Sequence, residues 1–255
     1  MSLTLTPLKG IPLIREGDDL VDIIVKALQT SNLALEDNDI IVLAQKIVSK
    51  AEGRMINLRS IEPSERAGQI AIQTEKDPRL VELILQESNE VLRIRPGTII
   101  VEHKLGFICA NAGIDHSNVA GAGRKAEEVV LLLPKDPDQS AKELRKKLEA
   151  ISGNHIGVMI IDSHGRAWRI GTVGMSIGLS GIPGVVDERG WSDLFGYKLK
   201  ITIVGIADEL AAAASLMMGQ AAEGTPVIHV RGFPYSLQDG SIKEIIRPKD
   251  KDLFR

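Results

Sequence analysis

The run Ile156-Gly157-Val158-Met159-Ile160-Ile161 constrains the fold most. It is short, apolar and rich in branched residues, without polar alternation, which reads as a buried strand. Ile40 to Leu43 has the same character. The Ile156 run ends on Asp162-Ser163-His164-Gly165-Arg166, so a carboxylate and a hydroxyl emerge at the C-terminal end of a buried strand. Hard cations such as Mg²⁺ and Mn²⁺ take oxygen ligands of this kind. An ordinary β-turn uses the same Asp-Ser-x-Gly chemistry.

Around these strands the pattern mixes elements without regular βα alternation. Leu3 to Leu8 alternates as a strand, and Asp18 or Asp19 caps a helix through Leu20, Ile23, Ile24 and Ala27. Gln45 to Lys50 leaves the Ile40 strand with polar and basic residues. Helices are expected from Ser64 to Gln73, from Asp77-Pro78 to Ser88, from Gln139 to Ile151, and from a cap at Asp208 to Met218. Further strands are expected at Val91–Ile94, Thr98–Glu102, Gly106–Ala110, Leu199–Ile206 and Val227–Val230. The fold class is therefore α+β, a mixed α/β arrangement, rather than a doubly wound sheet or a barrel.

Composition narrows the function. Only two Trp, two Tyr and four Phe occur in 255 residues, so the core rests on Ile, Leu, Val and Ala, and stacking platforms for single-stranded nucleic acid are scarce. A net charge of −3 gives no general attraction to nucleic acid or anionic membrane. The lone Cys109 excludes an intrachain disulfide and points to a reducing, cytoplasmic setting. No signal-peptide pattern opens the sequence and no apolar run reaches membrane-spanning length. The five histidines show no zinc-hydrolase spacing.

Four segments carry candidate chemistry. Asn111-Ala112-Gly113-Ile114-Asp115-His116-Ser117-Asn118 follows a strand and gathers amides, a carboxylate, an imidazole and a hydroxyl around a glycine; a plain Asx turn has the same composition. Asp162-Ser163 is the second. Gly171 to Gly181 is glycine-rich but lacks the lysine of a phosphate loop and the setting of a dinucleotide fingerprint. It reads equally as a substrate approach or as a tightly packed strand. Gly219 to Pro226 leaves the alanine-rich helix as a C-cap and turn. Lys50 is a candidate phosphate-binding cation, and Arg166 and Arg169 are candidate carboxylate or phosphate ligands. Gly121-Ala122-Gly123-Arg124-Lys125 looks like a phosphate cradle but reads as a flexible loop.

In this order the segments resemble the coenzyme F420-0:L-glutamate ligase family, the GTP-dependent γ-glutamyl ligases of a deazaflavin cofactor. The pieces that carry the likeness are Gly10-Ile11-Pro12-Leu13-Ile14, Ile47 to Arg54, Asn111 to Asp115 with Ser117-Asn118-Val119, Leu132 to Pro134 with Asp136-Pro137-Asp138, Asp162 to Arg166, Met218-Gly219 and Val230-Arg231-Gly232. They span nearly the whole chain and match the stand-alone form of the ligase. The resemblance implies a single ligase unit over residues 1–255, with room for two subdomains divided near 110–155, and an intertwined homodimer. It implies GTP as co-substrate, L-glutamate and the deazaflavin as partners, and two Mg²⁺ or Mn²⁺ sites, with K⁺ as an additional candidate.

Carried over by position, Asp115 and Asp162 match metal-binding aspartates, Ser163 stands where a threonine is common, and Gln220 replaces a carboxylate. Ile11, Pro12, Leu13, Ile14, Lys50, Asn118 and the loop Met218-Gly219-Gln220-Ala221-Ala222-Glu223-Gly224-Thr225 match nucleotide-contacting positions. Gln45 and Lys46 fall where small hydroxyl residues occur, which puts nucleotide contacts there in doubt. Asp115, Asp162 and Lys50 are the expected catalytic residues, acting on an acyl-phosphate route. Two other readings remain open: an amide ligase of the same fold with a different acceptor carboxylate, and a nucleotide-binding dimer without catalysis.

Overall fold

The computed structural model describes residues 2–119 and 128–253. Its largest sheet has five strands in the order β1 (Thr4–Pro7), β12 (Val227–Arg231), β2 (Ile40–Ala44), β8 (Gly157–Arg166) and β9 (Arg169–Ser180). β2 and β8 run parallel, from Ile40 beside Gly157 to Ala44 beside Ile161. The other neighbours are antiparallel.

Side-chain alternation sorts this sheet into two cores. Ile41 and Leu43 of β2 and Val158 and Ile160 of β8 face helices α1 (Leu20–Thr30), α2 (Gln45–Ala51) and α5 (Pro137–Ser152). Ile40, Val42, Met159 and Ile161 face α6 (Ile206–Met218) on the other side. Each such fully buried aliphatic side chain contributes about 1.5–3 kcal/mol, so this double-sided burial is a leading source of stability. Helices α1, α3 (Glu65–Thr74) and α4 (Pro78–Gln86) begin on side-chain caps. The Asp19 carboxylate accepts from the amides of Val21 and Asp22, Ser64 caps α3, and Asp77 with Pro78 opens α4.

A third core joins α3 and α4 to the sheet of β4 (Ser88–Arg95), β5 (Thr98–His103) and β6 (Ile108–Ala110). The pair β3 (Met55–Asn57) and β7 (Val129–Leu131) adjoins it. A last short pair, β10 (Val186–Asp187) and β11 (Ile203–Val204), closes an arm on which Trp191, Leu194, Phe195, Tyr197 and Ile201 are exposed.

The architecture is the α+β mixture expected, with local differences. Gln45 to Ala51 is a helix. The expected strand Leu199–Ile206 shrinks to Ile203–Val204, because its partner offers only Val186 and Asp187. Asp208 does not cap α6: Gly205 occupies that position, and the Asp208 carboxylate accepts from the Ser176 amide instead. Asp162 to Arg166 is not a turn but the end of β8, paired with β9. The glycine-rich run is strand β9, where a Cβ on Gly174 would collide with the Ala211 carbonyl and Ser215, so glycine there admits α6. The Gly121 to Lys125 segment lies outside the described residues.

A buried ion cluster fastens β12 to β2. Asp39 is 1% exposed and accepts from His229 Nε2 at 2.8 Å, Arg231 Nε at 2.9 Å and Arg231 Nη2 at 2.7 Å. Burial pushes its carboxyl up, but the hydrogen bonds from Arg231, His229 and the Glu36 amide outweigh it and hold the group well below the usual carboxylate range. Asp39→Asn is expected to cost about 3 kcal/mol in urea unfolding, the low end for breaking a buried pair because Arg231 keeps solvent contact. The native advantage of the carboxylate is complete above its unfolded value of 3.8 and declines as pH falls below it. The gap between wild type and variant should therefore be constant from pH 5 to 8 and narrow below pH 4.

Candidate functional site

The parallel pairing of β2 with β8 stops at Ala44 and Ile161. There the chain turns out of β2 into α2, while β8 continues through Arg166 with only β9 beside it. Ligand sites in sheets with parallel strands gather at such carboxyl ends. Three other segments converge on this one.

The first is the Asn111 to Asn118 loop. Asn111, Ala112 and Gly113 all have positive φ, at 51°, 52° and 63°. A buried alanine in this region is strained, and it is held by neighbours: Asn111 Oδ1 accepts from the Ile99 amide at 3.0 Å, and a Cβ on Gly113 would collide with Leu133. The turn delivers Asp115, whose amide donates to Leu131 O at 3.0 Å and whose carbonyl accepts from the Leu131 amide at 2.9 Å.

The second is the first turn of α2. Gln45 Nε2 donates to Asp115 Oδ2 at 2.7 Å, and Lys46 Nζ lies 3.5 Å from Asp115 Oδ1. Lys46 also donates to Ser117 O at 3.2 Å and Ser117 Oγ at 2.9 Å, and Lys50 Nζ donates to Asn118 O at 2.6 Å. Burial, and then the neighbouring Lys46 charge, lower the pKa of Lys50.

The third is the loop after α6, which enters β12 beside the end of β2, where the Ala44 amide donates to Pro226 O. Asn118 Nδ2 donates to Ala221 O at 2.9 Å, so two segments a hundred residues apart are tied directly. Ser163 Oγ donates to Gln220 Oε1 at 2.9 Å, while Gln220 Nε2 is taken by Ser215 Oγ at 3.1 Å. Thr225 Oγ1 donates to Met218 O at 3.0 Å and the Ala221 amide to Glu223 Oε2 at 2.8 Å, which fix the loop.

β-strand alternation gives Asp162 and Ser163 opposite faces of β8. Asp162 shares its face with His164, which is 6% exposed, and the imidazole Nε2 lies 3.0 Å from Asp162 Oδ2 at ion-pair distance but out of hydrogen-bond alignment. Phe107 packs between His164 and His103. Burial pushes the Asp115 carboxyl up to about 6; Lys46 opposes this and the Asp162 charge adds to it. Burial, with the same Asp162 charge, pushes the Cys109 thiol up to about 12, as befits an inert core thiol.

Of the expected site residues, these contacts bring together Lys50, Asp115, Asn118, Asp162, Ser163 and the Met218 to Thr225 loop. Ile11 to Ile14 lie against the α1 side of the core, with Ile14 buried and Leu13 exposed; among the described residues no hydrogen bond joins them to Asp115, Lys50 or Asn118. Gln45, Lys46, Ser49 and His164 were missed as supports of the two aspartates. A helix starting immediately after a buried parallel strand was the available signal for the first three.

Among the described residues no three His, Cys, Asp or Glu side chains cluster as a metal cage. The donors present are oxygens in two pairs, the Asp115 and Asp162 carboxylates and, from the opposite face of β8, Ser163 Oγ with Gln220 Oε1. That set fits a hard cation that fills its remaining positions with water and phosphate oxygens. It does not fit a zinc or iron centre.

The family model described as F420-0:Gamma-glutamyl ligase matches residues 10–232. The protein named coenzyme F420:L-glutamate ligase from Methanothermobacter thermautotrophicus is 45% identical over 257 residues, covering 100% of both chains. Proteins of the same name from Methanopyrus kandleri and Archaeoglobus fulgidus are 46% and 42% identical, over 95% and 100% of this chain and 93% and 97% of theirs.

The raised Asp115 value has a measurable consequence. Because the folded value lies above the unfolded one, the stability cost of ionising this carboxylate builds up from pH 3.8 and is complete above about pH 6, and protonation removes it. In EDTA at pH 7.5, Asp115→Asn is expected to be more stable than wild type by roughly 1–3 kcal/mol. The difference should shrink toward pH 4.5 in chemical denaturation, and a wild type as stable as the variant at both pH values would contradict it.

Proposed function

The chain belongs to the F420-0:gamma-glutamyl ligase family, and we propose that it joins L-glutamate to the carboxylate of coenzyme F420-0 at the expense of GTP. The observation that carries this reading is the half-buried Asp115 carboxylate. It lies beside Asp162 and the half-buried Lys50, under a loop pinned by the Asn118 to Ala221 hydrogen bond. This is an anionic cup rimmed by cations, suited to a metal–polyphosphate complex.

A free carboxylate is a poor acylating group because oxide is a poor leaving group. In the proposed reaction an acceptor carboxylate oxygen attacks the γ-phosphorus of GTP, the bond to the β-phosphate oxygen breaks, and GDP departs. The α-amine of glutamate then attacks the acyl carbon of the acyl phosphate, loses a proton, and expels phosphate as the amide forms. Phosphoryl transfer depends on in-line positioning and charge neutralisation rather than on covalent help from the protein.

Asp115 and Asp162 would hold one Mg²⁺ or Mn²⁺, and Ser163 with Gln220 a second through neutral oxygens. When bound, such ions neutralise phosphate charge and orient the acceptor oxygen. The Ser215 hydroxyl supports this role of Gln220, because it takes the amide nitrogen and so turns the amide oxygen toward Ser163 Oγ, where the two oxygens lie 2.9 Å apart. K⁺ is a further candidate ligand of the phosphate region. Lys50 and Lys46 add fixed positive charge, and the 218–225 loop with Asn118 forms the nucleotide wall.

A homodimer belongs to the same reading. The arm between β10 and β11 exposes Leu194, Phe195 and Ile201 almost completely, beside Trp191 and Tyr197. Contiguous exposed apolar surface of this kind marks a protein contact.

Incubation with F420-0, L-glutamate, GTP and Mn²⁺ should yield glutamylated product by mass spectrometry, with one GDP and one phosphate released for each glutamate added. Asp162→Ala is expected to lower turnover at least 100-fold, of the order seen when transition-state charge stabilisation is removed, without changing the circular dichroism spectrum. Near-normal turnover of Asp162→Ala would overturn its assignment. Glutamylation of a different acceptor would favour the related amide ligase, and GTP binding without phosphate release across a range of acceptors a non-catalytic dimer.

A further inference from the structure

We propose that Ser49 is a positioning residue for the cation, acting through Gln45 on Asp115; this rests on the reading of Asp115 as a metal ligand. The evidence is a short buried relay. Ser49 Oγ donates to Gln45 Oε1 at 2.9 Å, and Gln45 Nε2 donates to Asp115 Oδ2 at 2.7 Å. Gln45 and Ser49 are 1% and 0% exposed, so bulk water cannot stand in for either partner.

Each step has a direction. An amide has a donor end and an acceptor end, and only the donor end suits a carboxylate. The Ser49 hydroxyl takes up the acceptor end and polarises the amide toward Asp115, since hydrogen bonds in series strengthen one another in a low-dielectric interior. Ser49 is placed for this by helical spacing: positions 45 and 49 are four apart on α2 and share one face. The far end is equally fixed, because the Asp115 backbone is locked to Leu131 in both directions.

The consequence is a ligand with one oxygen committed. Oδ2 belongs to Gln45, and Oδ1 faces Lys46 at 3.5 Å, too long for a hydrogen bond. Asp115 therefore offers a cation a single oxygen, Oδ1. An arriving cation displaces only the loose Lys46 ion pair, and the ammonium keeps its two hydrogen bonds to Ser117. Without Ser49, Gln45 Oε1 is left buried without its donor, the amide turns to seek another partner, and Asp115 loses its fixed aim. Supporting groups of this type typically change metal affinity 10–100-fold.

The test uses Ser49→Ala in the full-length protein. Mn²⁺ binding with GDP present is followed by electron paramagnetic resonance of the free ion, alongside the Mn²⁺ dependence of turnover. The expected result is about tenfold weaker Mn²⁺ binding, the lower end of that range, and a matching rise in the Mn²⁺ needed for half-maximal rate. At saturating Mn²⁺ the kcat should stay within about twofold, because the ligands themselves are intact. Ser49→Thr, which keeps the hydroxyl, should restore wild-type affinity. If Ser49→Ala fails to fold, Ser49→Cys keeps the volume with a weaker donor and should weaken Mn²⁺ binding by severalfold. Unchanged Mn²⁺ affinity in the folded variant, or a fall in kcat at unchanged affinity, would overturn the relay. Asp115→Ala run in parallel separates the two readings: if it too leaves Mn²⁺ binding intact, the metal assignment has failed rather than the relay alone.

Discussion

Parallel pairing of β2 with β8 is the constraint on which the rest depends, and the place where it stops matters as much as its burial. From Ile40 to Ala44 the pair is covered on both faces by helices. One residue later β2 becomes α2, and β8 continues with β9 as its hydrogen-bonded neighbour among the described residues. That single divergence opens a gap at the carboxyl end of the sheet. Because β12 begins beside the end of β2, the loop after α6 must arrive at the same gap. The Asn111 to Asn118 loop reaches it from the third core through the Asp115 to Leu131 bridge. Four segments distant in sequence thus meet as a result of strand order, before any side-chain chemistry is considered.

Two aspartates show how local donors decide what burial means. Asp39 and Asp115 are both withdrawn from water, yet their acidities move in opposite directions. Asp39 receives three close donors from Arg231 and His229 and one from the Glu36 amide, so attraction exceeds desolvation. Asp115 has one neutral amide at 2.7 Å and an ammonium at 3.5 Å, with a second carboxylate near by. Desolvation wins there. The first arrangement is a finished ion cluster that holds two strands together. The second is an under-compensated carboxylate, which a divalent cation would complete, and such under-compensation is characteristic of functional sites rather than of structural ones.

Much of this was legible in the sequence because it is local. The cap at Asp19, the Asp77-Pro78 helix start, the unbroken apolar runs of β2 and β8, and the clustering of Asn, Gly and Asp at 111–118 follow from short-range rules. What escaped was set by tertiary pairing. Gln45 to Ala51 carries no side-chain cap, because Ala44 precedes it, so no capping residue marked its start. Asp162 to Gly165 has turn chemistry, but a strand partner in β9 overrides it. Asp208 looks like a cap by composition, yet the Ser176 amide claims its carboxylate. The supports Gln45, Ser49 and His164 gain meaning only from what lies across from them, which no spacing rule encodes.

The aromatic residues extend this argument to the surface. The cores are built almost wholly from Ile, Leu, Val and Ala, as the composition required, and among the described residues Phe107, Phe233 and Tyr235 are the aromatics packed into or against them. Trp191, Phe195 and Tyr197 instead lie exposed on one arm, with Leu194 and Ile201 between them. A chain so sparing of aromatics gains nothing by leaving them in water: each carries a large apolar area whose burial is favourable. They are concentrated on an arm whose two sides hydrogen-bond to each other, at β10–β11 and at Gly190–Leu199, Leu199–Trp191 and Asp193–Tyr197, a backbone frame that leaves this apolar surface to be covered from outside. In the proposed homodimer a second copy would supply that cover, since a two-fold contact buries the same patch twice without any other partner.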